Sequence, residues 1–251
     1  MQAIIRTLKV RLYSNEEQQV LLEKHFGSCR FVYNHFLDAR TKHYAEHMKG
    51  LTAFDAMKML TPLKKELVWL NEAKSQSLQH SLTTLDKAFK PFFKHNSDFP
   101  KFRPKKDNRY FIVPFGFRVA ENRLVLPKFM EGIKYRDSTS IPEGIKQITV
   151  TRDVDRYYAS VQYECTEKLP RGSGTVGVDI GIKAFLTTSD GMKIEPLNAL
   201  RKMEYRLKRT QKELARKKKG SNNRKKQIIR IQKIFQQIRD GTRSGQCLNI
   251  N

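Results

Sequence analysis

Asp179 is the residue of this sequence best placed to do chemistry. It lies in residues 177–183, GVDIGIK, at the end of an apolar run that opens at Thr175. A second apolar run at 184–188 leads into a tight turn at 189–191, so the pattern predicts a β-hairpin with the carboxylate on a buried first strand. Many cations follow this hairpin. A carboxylate on a buried strand beside a large cationic surface favours metal-assisted phosphodiester chemistry. Such chemistry needs several converging carboxylates to hold divalent ions.

Positive charge is the strongest compositional signal. The 251 residues include 49 Lys and Arg against 25 Asp and Glu, for a net charge of +24. An excess of this size indicates a polyanionic partner, with nucleic acid as the first candidate. Apolar residues make up 39% and aromatic residues 10% of the chain. This content favours a folded protein over a disordered basic tail.

Residues 197–239 are predicted to form a helical hairpin with a basic elbow. Two apolar stripes at helical spacing flank residues 217–226, KKKGSNNRKK. Residues 201–239 hold 16 Lys and Arg against two Glu, a local net charge of +14. A merely solvated helix face mixes the two signs more evenly, so nucleic-acid contact is the favoured interpretation. The candidate contacts are Lys217, Lys218, Lys219, Arg224, Lys225 and Lys226.

A second basic segment, residues 99–110, alternates cations with aromatic residues and prolines. Such a segment can grip a phosphate backbone and stack on unpaired bases. It can equally be an extended linker with solvated lysines, and composition alone does not separate the two. Its candidate contacts are Lys101, Arg103, Lys105, Lys106 and Arg109.

The remaining pattern predicts the elements that position these segments. Alternation predicts a strand at 7–13, and residues 14–17 (SNEE) fit a capping box that starts a helix running to about His47. Further helices are predicted at 52–68 and 75–93. Short strands are predicted at 110–115, 117–120, 123–126, 146–152 and 157–163. The fold class is therefore α+β, with an antiparallel barrel or sandwich whose first strand is separated from the rest by helices.

Cysteine usage and hydropathy set the expected compartment. Cys29, Cys165 and Cys247 lie far apart and form no Cys-x-x-Cys pair, so neither a zinc ribbon nor a disulfide framework is predicted. No apolar run approaches membrane-spanning length, and the N-terminus has no signal-peptide pattern. We expect a cytoplasmic protein without a membrane partner.

These segments together resemble the OrfB/TnpB family of bacterial and archaeal insertion sequences. The resemblance is carried by residues 177–191 and 217–226, and more weakly by residues 99–102 and 85–89. Family members are transposon-encoded, RNA-guided DNA endonucleases related to the type V CRISPR effectors. The resemblance therefore implies a guide RNA from the transposon end and a double-stranded DNA target as partners, and association with the nucleoid.

The resemblance also implies an architecture. Residues 1–13 and 107–170 would form a split antiparallel β-barrel, and residues 14–106 a helical recognition insert. Residues 171–251 would be the first part of an RNase-H-like, RuvC-type nuclease domain. Within that part, the apolar stripe does not continue into residues 241–251. This change indicates a frameshift or recombination scar, and a natural frayed C-terminus is the alternative.

For catalysis, the family uses an Asp-Glu-Asp set that binds magnesium. Asp179 matches the first Asp, whereas the Glu and the second Asp have no counterpart in these 251 residues. Glu195 follows the predicted hairpin, and Glu204 and Glu213 fall on the basic helices, so none of them is a match. The family's Cys-x-x-Cys zinc motif is also missing. We expect a chain of transposase lineage that binds magnesium weakly through Asp179 and does not cleave DNA by itself.

Three other interpretations stay open. Residues 177–181 alone are also similar to the first strand of actin-like ATPases, but Ile182 and Lys183 stand where those proteins place small hydroxylated residues. A non-catalytic RNA- or DNA-binding module, or a repressor, of the same descent would share every feature except the carboxylates. Residues 15–47 fit either a helix-turn-helix or a plain recognition helix. The sequence does not predict an oligomeric state.

Overall fold

The computed structural model describes residues 4–105, 109–136, 140–165, 175–179, 186–194 and 199–246, without the side chains of 199, 200, 202 and 241–246. These residues belong to two compact units, 1–167 and 168–251. The helices of the first unit are α1 (Glu16–His47), α2 (Ala53–Glu66) and α3 (Ser75–Phe93), with a 3-10 helix at Val68–Glu72. Its strands are β1 (Ile4–Tyr13), β2 (Tyr110–Val113), β3 (Arg118–Ala120), β4 (Arg123–Leu126), β5 (Phe129–Tyr135), β6 (Ile145–Asp153) and β7 (Arg156–Cys165).

The seven strands form one antiparallel sheet in the order β2-β6-β7-β1-β5-β4-β3. The first strand of the chain is thus the central strand of the sheet. It pairs with β7 from Ile4 opposite Cys165 to Leu12 opposite Tyr157, and with β5 on its other side. The three helices are inserted after this strand, and the predicted α+β class with an antiparallel sheet is confirmed.

One face of the sheet shares its core with α1, α2 and α3. Val10 and Leu12 of β1 are buried, while Lys9 and Tyr13 are exposed, as the alternation predicts. The apolar pattern of α3 predicts a stripe of five residues, of which Leu78, Leu82, Leu85 and Phe89 are buried and Phe92 is half-buried. The ring of Phe26, on α1, lies 5.3 Å from that of Phe111 on β2, which joins helix and sheet.

Two details of the first unit differ from the sequence prediction. The capping box of α1 is formed by Asn15 and Gln18, one residue later than predicted, because the Asn15 side chain accepts from the Gln18 amide at 2.8 Å. Strand β5 was not predicted. It carries Gly132 at φ 69, and its register with β4 shifts between Leu124 and Leu126, so its burial does not alternate.

The described residues of the second unit form three short strands and two helices. These are β8 (Val178–Asp179), β9 (Leu186–Thr188), β10 (Lys193–Ile194), α4 (Ala199–Ala215) and α5 (Asn222–Gln246). β8 pairs with β9 antiparallel, which confirms the predicted hairpin, although residues 180–185 lie outside the described residues. The predicted turn at 189–191 is also confirmed, and it joins β9 to the unpredicted β10 with Gly191 at φ 87.

Two predictions for this unit are wrong in part. β8 is exposed rather than buried, with Val178 48% exposed. A local apolar run predicts a strand, but what packs on that strand depends on the rest of the fold. The second helix does not end near residue 239, since α5 continues to Gln246. Each further residue of a helix adds a backbone hydrogen bond whether or not the apolar stripe continues.

Candidate nucleic-acid interface

Helices α4 and α5 form the predicted hairpin, and the buried Gln227 fastens them together. Its Nε2 donates to the Thr210 carbonyl at 3.1 Å and to Glu213 Oε2 at 2.9 Å. Thr210 in turn donates its hydroxyl to the Arg206 carbonyl at 2.6 Å. A buried amide with its donors used in this way fixes how the two helices face each other.

The basic elbow, residues 217–226, is folded around Arg224. Arg224 Nη1 donates to the Leu214 carbonyl at 3.0 Å and to the Lys217 carbonyl at 3.2 Å. Its amide donates to Ser221 Oγ at 3.2 Å, which caps the start of α5. Gly220 supplies the turn with φ 85. The guanidinium therefore caps the C-terminal end of α4, where a cation is favourable.

Four of the five lysines of the elbow face solvent. Lys218, Lys219, Lys225 and Lys226 are exposed, and Lys217 is half-buried. These four exposed residues are called the elbow lysines from here on. Of the six predicted contacts in this segment, the structure thus brings five lysines to one bend and uses the sixth cation, Arg224, to build that bend.

Both glutamates of α4 have partners that belong to the hairpin itself. Glu204 accepts from Lys208 at 2.7 Å, and this hydrogen bond lowers the pKa of its carboxyl. Glu213 lies 3.2 Å from Arg209 Nε. The pKa of the Glu213 carboxyl is lowered, and the hydrogen bond from Gln227 is the largest cause. These carboxylates offset charge along α4 rather than at the elbow.

In the second basic segment, Asn34 of α1 holds Arg103. The Arg103 amide donates to Asn34 Oδ1 at 2.8 Å, and Asn34 Nδ2 donates to the Arg103 carbonyl at 3.0 Å. The guanidinium carbon lies 3.6 Å from the Tyr33 ring centroid and 4.9 Å from that of Tyr110. Arg103 is therefore an anchor in the first unit, held by hydrogen bonds and cation–π contacts.

Arg109 is anchored as well, through Glu23 of α1. Arg109 Nη1 lies 3.2 Å from Glu23 Oε2, and Arg152 Nη1 lies 2.7 Å from Oε1. The Tyr157 hydroxyl donates to the same Oε1 at 3.1 Å; burial and then the Glu23 charge raise the pKa of Tyr157 to about 12. One carboxylate thus joins two strands to α1.

The remaining candidates of this segment differ in placement. Lys101 is 82% exposed, at 3.4 Å from Asp98, and Lys105 is exposed. Lys106 lies outside the described residues. The anchors Glu23, Tyr33 and Asn34 were missed by sequence reasoning, because they lie about 70 to 130 positions from their partners and no local pattern marks them.

Asp179 lies on the exposed strand β8, opposite Thr187 of β9. The hairpin is closed beside it by the Ser189 amide, which donates to the Gly177 carbonyl at 2.9 Å, and by the Gly177 amide, which donates to Ser189 Oγ at 3.0 Å. Within the described ranges, no three His, Cys, Asp or Glu side chains come together as metal ligands. Asp179 offers one carboxylate there, which does not meet the octahedral oxygen set that magnesium demands.

In the part of the chain that the structure describes, no helix combines the length and the apolar character needed to cross a bilayer.

Two family models of IS605-type OrfB proteins match this chain. One is described as "Helix-turn-helix domain" and matches residues 1–49, and the other is described as "Probable transposase" and matches residues 153–243. The second match spans both Asp179 and the basic elbow. The chain is also 32% identical over 236 residues to InsQ of Escherichia coli (strain K12), whose name describes a candidate RNA-guided DNA endonuclease. The chain belongs to the OrfB/TnpB family.

Two further similarities accompany this OrfB/TnpB assignment. A relative from Streptomyces pristinaespiralis, also named as a candidate RNA-guided DNA endonuclease, is 34% identical over 250 residues. These matches cover 92% and 96% of this chain but 58% and 62% of the InsQ and Streptomyces relatives, so the chain spans less than two thirds of their length. A chain in the structure titled "Cryo-EM structure of the Cas12f1-sgRNA-target DNA complex" matches with a TM-score of 0.38 and 16% identity, over 94% of this chain and 65% of that one.

Two findings bear on the two interpretations of residues 15–47 in this OrfB/TnpB chain. Although the matching family model is described as a helix-turn-helix, α1 is one helix of 32 residues from Glu16 to His47. It ends at Met48, which adopts the left-handed conformation. Within residues 15–47 the structure therefore shows one helix, while the description of the matching family model favours the helix-turn-helix.

Proposed function

We propose that this chain is a nucleic-acid-binding protein of the TnpB type, which binds a guide RNA and double-stranded DNA as RNA-guided DNA endonucleases do. The observation that carries the proposal is the set of elbow lysines, exposed on a bend that Arg224 and Gln227 hold in shape. Lysines fixed on a rigid bend can neutralise backbone phosphates and release counterions. The names of the InsQ and Streptomyces relatives support RNA and DNA as the partners.

We further propose how the fold serves this binding. The seven-stranded sheet would be the split β-barrel, interrupted by residues 14–106 as a helical recognition insert. The central position of β1, which lies between strands from much later in the sequence, supports this assignment. Residues 171–251 would be the first part of a RuvC-like domain, and the compact unit that begins at residue 168 supports that division. The net charge of +24 supports residence at the nucleoid.

For catalysis, we propose that Asp179 is the first carboxylate of a magnesium site and that this chain does not cleave DNA by itself. Glu204 and Glu213 are engaged by Lys208, Arg209 and Gln227, which supports their exclusion from such a site. Magnesium dehydrates reluctantly and needs several well-placed oxygen ligands, so one carboxylate would hold it weakly. The engaged glutamates and the single carboxylate of Asp179 support the alternative of a non-catalytic binding role of the same descent.

The test uses the purified 251-residue chain, transposon-end RNA, labelled double-stranded DNA and magnesium. We expect a complex with nucleic acid and no magnesium-dependent cleavage, both for the wild type and for Asp179→Ala. Cleavage by the wild type that disappears in Asp179→Ala would contradict the proposed lack of activity. Failure to bind either nucleic acid would contradict the proposal as a whole.

A further inference from the structure

An aromatic pocket of about 250 Å³ lies in the first unit, between α1, the end of α3 and the segment that follows α3. We define the aromatic pocket by six lining residues, which are Arg40, Tyr44, Phe89, Phe92, Phe93 and Phe99. The function proposed for the elbow lysines does not involve any of them. Phe89 and Phe92 belong to the apolar stripe of α3, but the other rings are not part of the closed core.

Three of the aromatic walls are open to solvent. Tyr44 is 51%, Phe93 59% and Phe99 44% exposed. Two of these three rings are held by the rings of α3, and the first, Phe99, stands edge-on to Phe89 at 5.4 Å and to Phe92 at 5.3 Å. The Phe93 ring is stacked on Phe89 at 5.8 Å with an interplanar angle of 24°. Exposed, pre-positioned aromatic faces are an arrangement that a flat ligand can use for stacking.

Cations occur both inside the pocket and around it. The Arg40 guanidinium carbon lies 4.1 Å from the Phe89 ring centroid, and Nη1 lies 3.2 Å from Asp86 Oδ1. Three lysines close to the lining residues in sequence are exposed, namely Lys90 in the last turn of α3, Lys94 directly after α3 and Lys101 in the following segment. Lys90 lies 3.8 Å from Asp86 and Lys101 lies 3.4 Å from Asp98. Phe99 and Lys101 belong to the segment that Asn34 fixes at Arg103, which limits how far that wall can move.

We propose that the aromatic pocket takes an unpaired nucleobase of a bound nucleic-acid strand. The base would stack on Phe93 and Tyr44, and the neighbouring phosphates would lie against Lys94 and Lys101. Aromatic faces combined with a cationic groove are the means by which proteins hold unpaired bases. The volume is below the roughly 300–1,000 Å³ of sites for drug-sized ligands, so it suits one base rather than a larger group. This inference rests on the proposed nucleic-acid binding and goes beyond it by assigning a second site.

The test compares strands that carry bases with a strand that lacks them. Fluorescence anisotropy would measure binding of ten uridylates, ten thymidylates and ten abasic tetrahydrofuran units, so that the phosphates match and only the bases differ. We expect the wild type to bind a base-bearing decamer roughly 5- to 150-fold more tightly than the abasic one. The decamer with the larger preference, RNA or DNA, identifies the source of the base.

Pocket variants then assign this preference to its site. Tyr44→Ala and Phe93→Ala should each reduce the preference for bases severalfold, because each removes a stacking face. Phe115→Ala is the matched control, since Phe115 is also exposed, at 57%, and does not line the pocket. Thermal unfolding followed by circular dichroism checks that all three variants fold.

The outcomes separate this inference from the proposed function. A preference lost in both pocket variants and kept in Phe115→Ala supports the base site. A preference unchanged in the pocket variants overturns it and leaves an apolar protein segment as the candidate occupant. Equal wild-type affinity for base-bearing and abasic strands overturns the inference but leaves nucleic-acid binding in place. No wild-type binding to any decamer overturns both.

Discussion

Replacing Arg224 should destabilise the helical hairpin rather than simply remove one positive charge from it. Arg224 Nη1 donates to the Leu214 carbonyl in the last turn of α4 at 3.0 Å and to the Lys217 carbonyl just after α4 at 3.2 Å. Its neighbour Lys225 carries the same charge but is exposed. The pair Arg224→Ala and Lys225→Ala therefore separates a structural cation from a solvent-facing one.

The expected magnitude follows from these contacts. A hydrogen bond to a charged group contributes about 1.5–3 kcal/mol, and a cation at a helix C-terminus about 0.3–1 kcal/mol. Arg224 is half-buried, so competition from water places the total near the lower end of this range. We expect Arg224→Ala to lower the free energy of unfolding of the hairpin by about 2 kcal/mol. Lys225→Ala should stay within about 0.5 kcal/mol of the wild type.

Urea unfolding followed by helical circular dichroism measures these differences, and hydrogen exchange of residues 210–226 assigns them to the hairpin. Arg224→Lys keeps the charge but loses the longer, planar guanidinium, so it should recover only part of the stability. If Arg224→Ala and Lys225→Ala unfold at the same urea concentration, the capping role is refuted.

Two further predictions concern the first unit. In Asn34→Ala, limited proteolysis should cleave residues 99–105 at least several times faster than in the wild type, because both hydrogen bonds to the Arg103 backbone are lost. An unchanged cleavage rate would show that the contacts of Arg103 with Tyr33 and Tyr110 hold the segment without Asn34. Burial lowers the pKa of the His25 imidazole below its ordinary value near 6.5. The contribution of neutral His25 to the free energy of unfolding should therefore be fully present above pH 6.5 and fall as the pH drops below it, because the unfolded state then binds the proton more readily than the folded state. His25→Phe should flatten this fall in urea unfolding at pH 7.5 and 5.5, and the same pH dependence in both proteins would refute the assignment.

The sequence predicts the elements of this chain better than their connections. Helix α3 could be predicted because its apolar stripe is continuous, and the elbow because its charge is concentrated. Strand β5 could not, since Gly132 and a register shift remove the alternation on which the prediction depends.

The anchors of the candidate site could not be predicted for another reason. Asn34 meets Arg103 from 69 positions away, and Glu23 meets Arg152 from 129 positions away. Such pairs depend on the packing of the whole unit. Composition likewise predicts nucleic-acid contact for every cation of the elbow. The structural role of Arg224 becomes apparent only from its hydrogen bonds to the Leu214 and Lys217 carbonyls.

The central claim is that the elbow lysines bind nucleic acid, and the salt dependence of binding tests it most directly. One variant changes the elbow lysines, Lys218, Lys219, Lys225 and Lys226, to Ala and keeps Arg224. The control variant changes four other exposed lysines to Ala and so removes the same charge; they are Lys49, Lys65, Lys87 and Lys128.

Each lost phosphate contact should flatten the slope of log K against log salt by about 0.7–0.9. We predict that the elbow variant loses up to about 3 units of this slope for transposon-end RNA, while the control variant loses less than about 1. Equal losses in the two variants would contradict the claim, because they would show that total charge rather than the elbow determines binding. An unchanged slope in the elbow variant would also contradict it and would favour residues 101–109 as the binding surface.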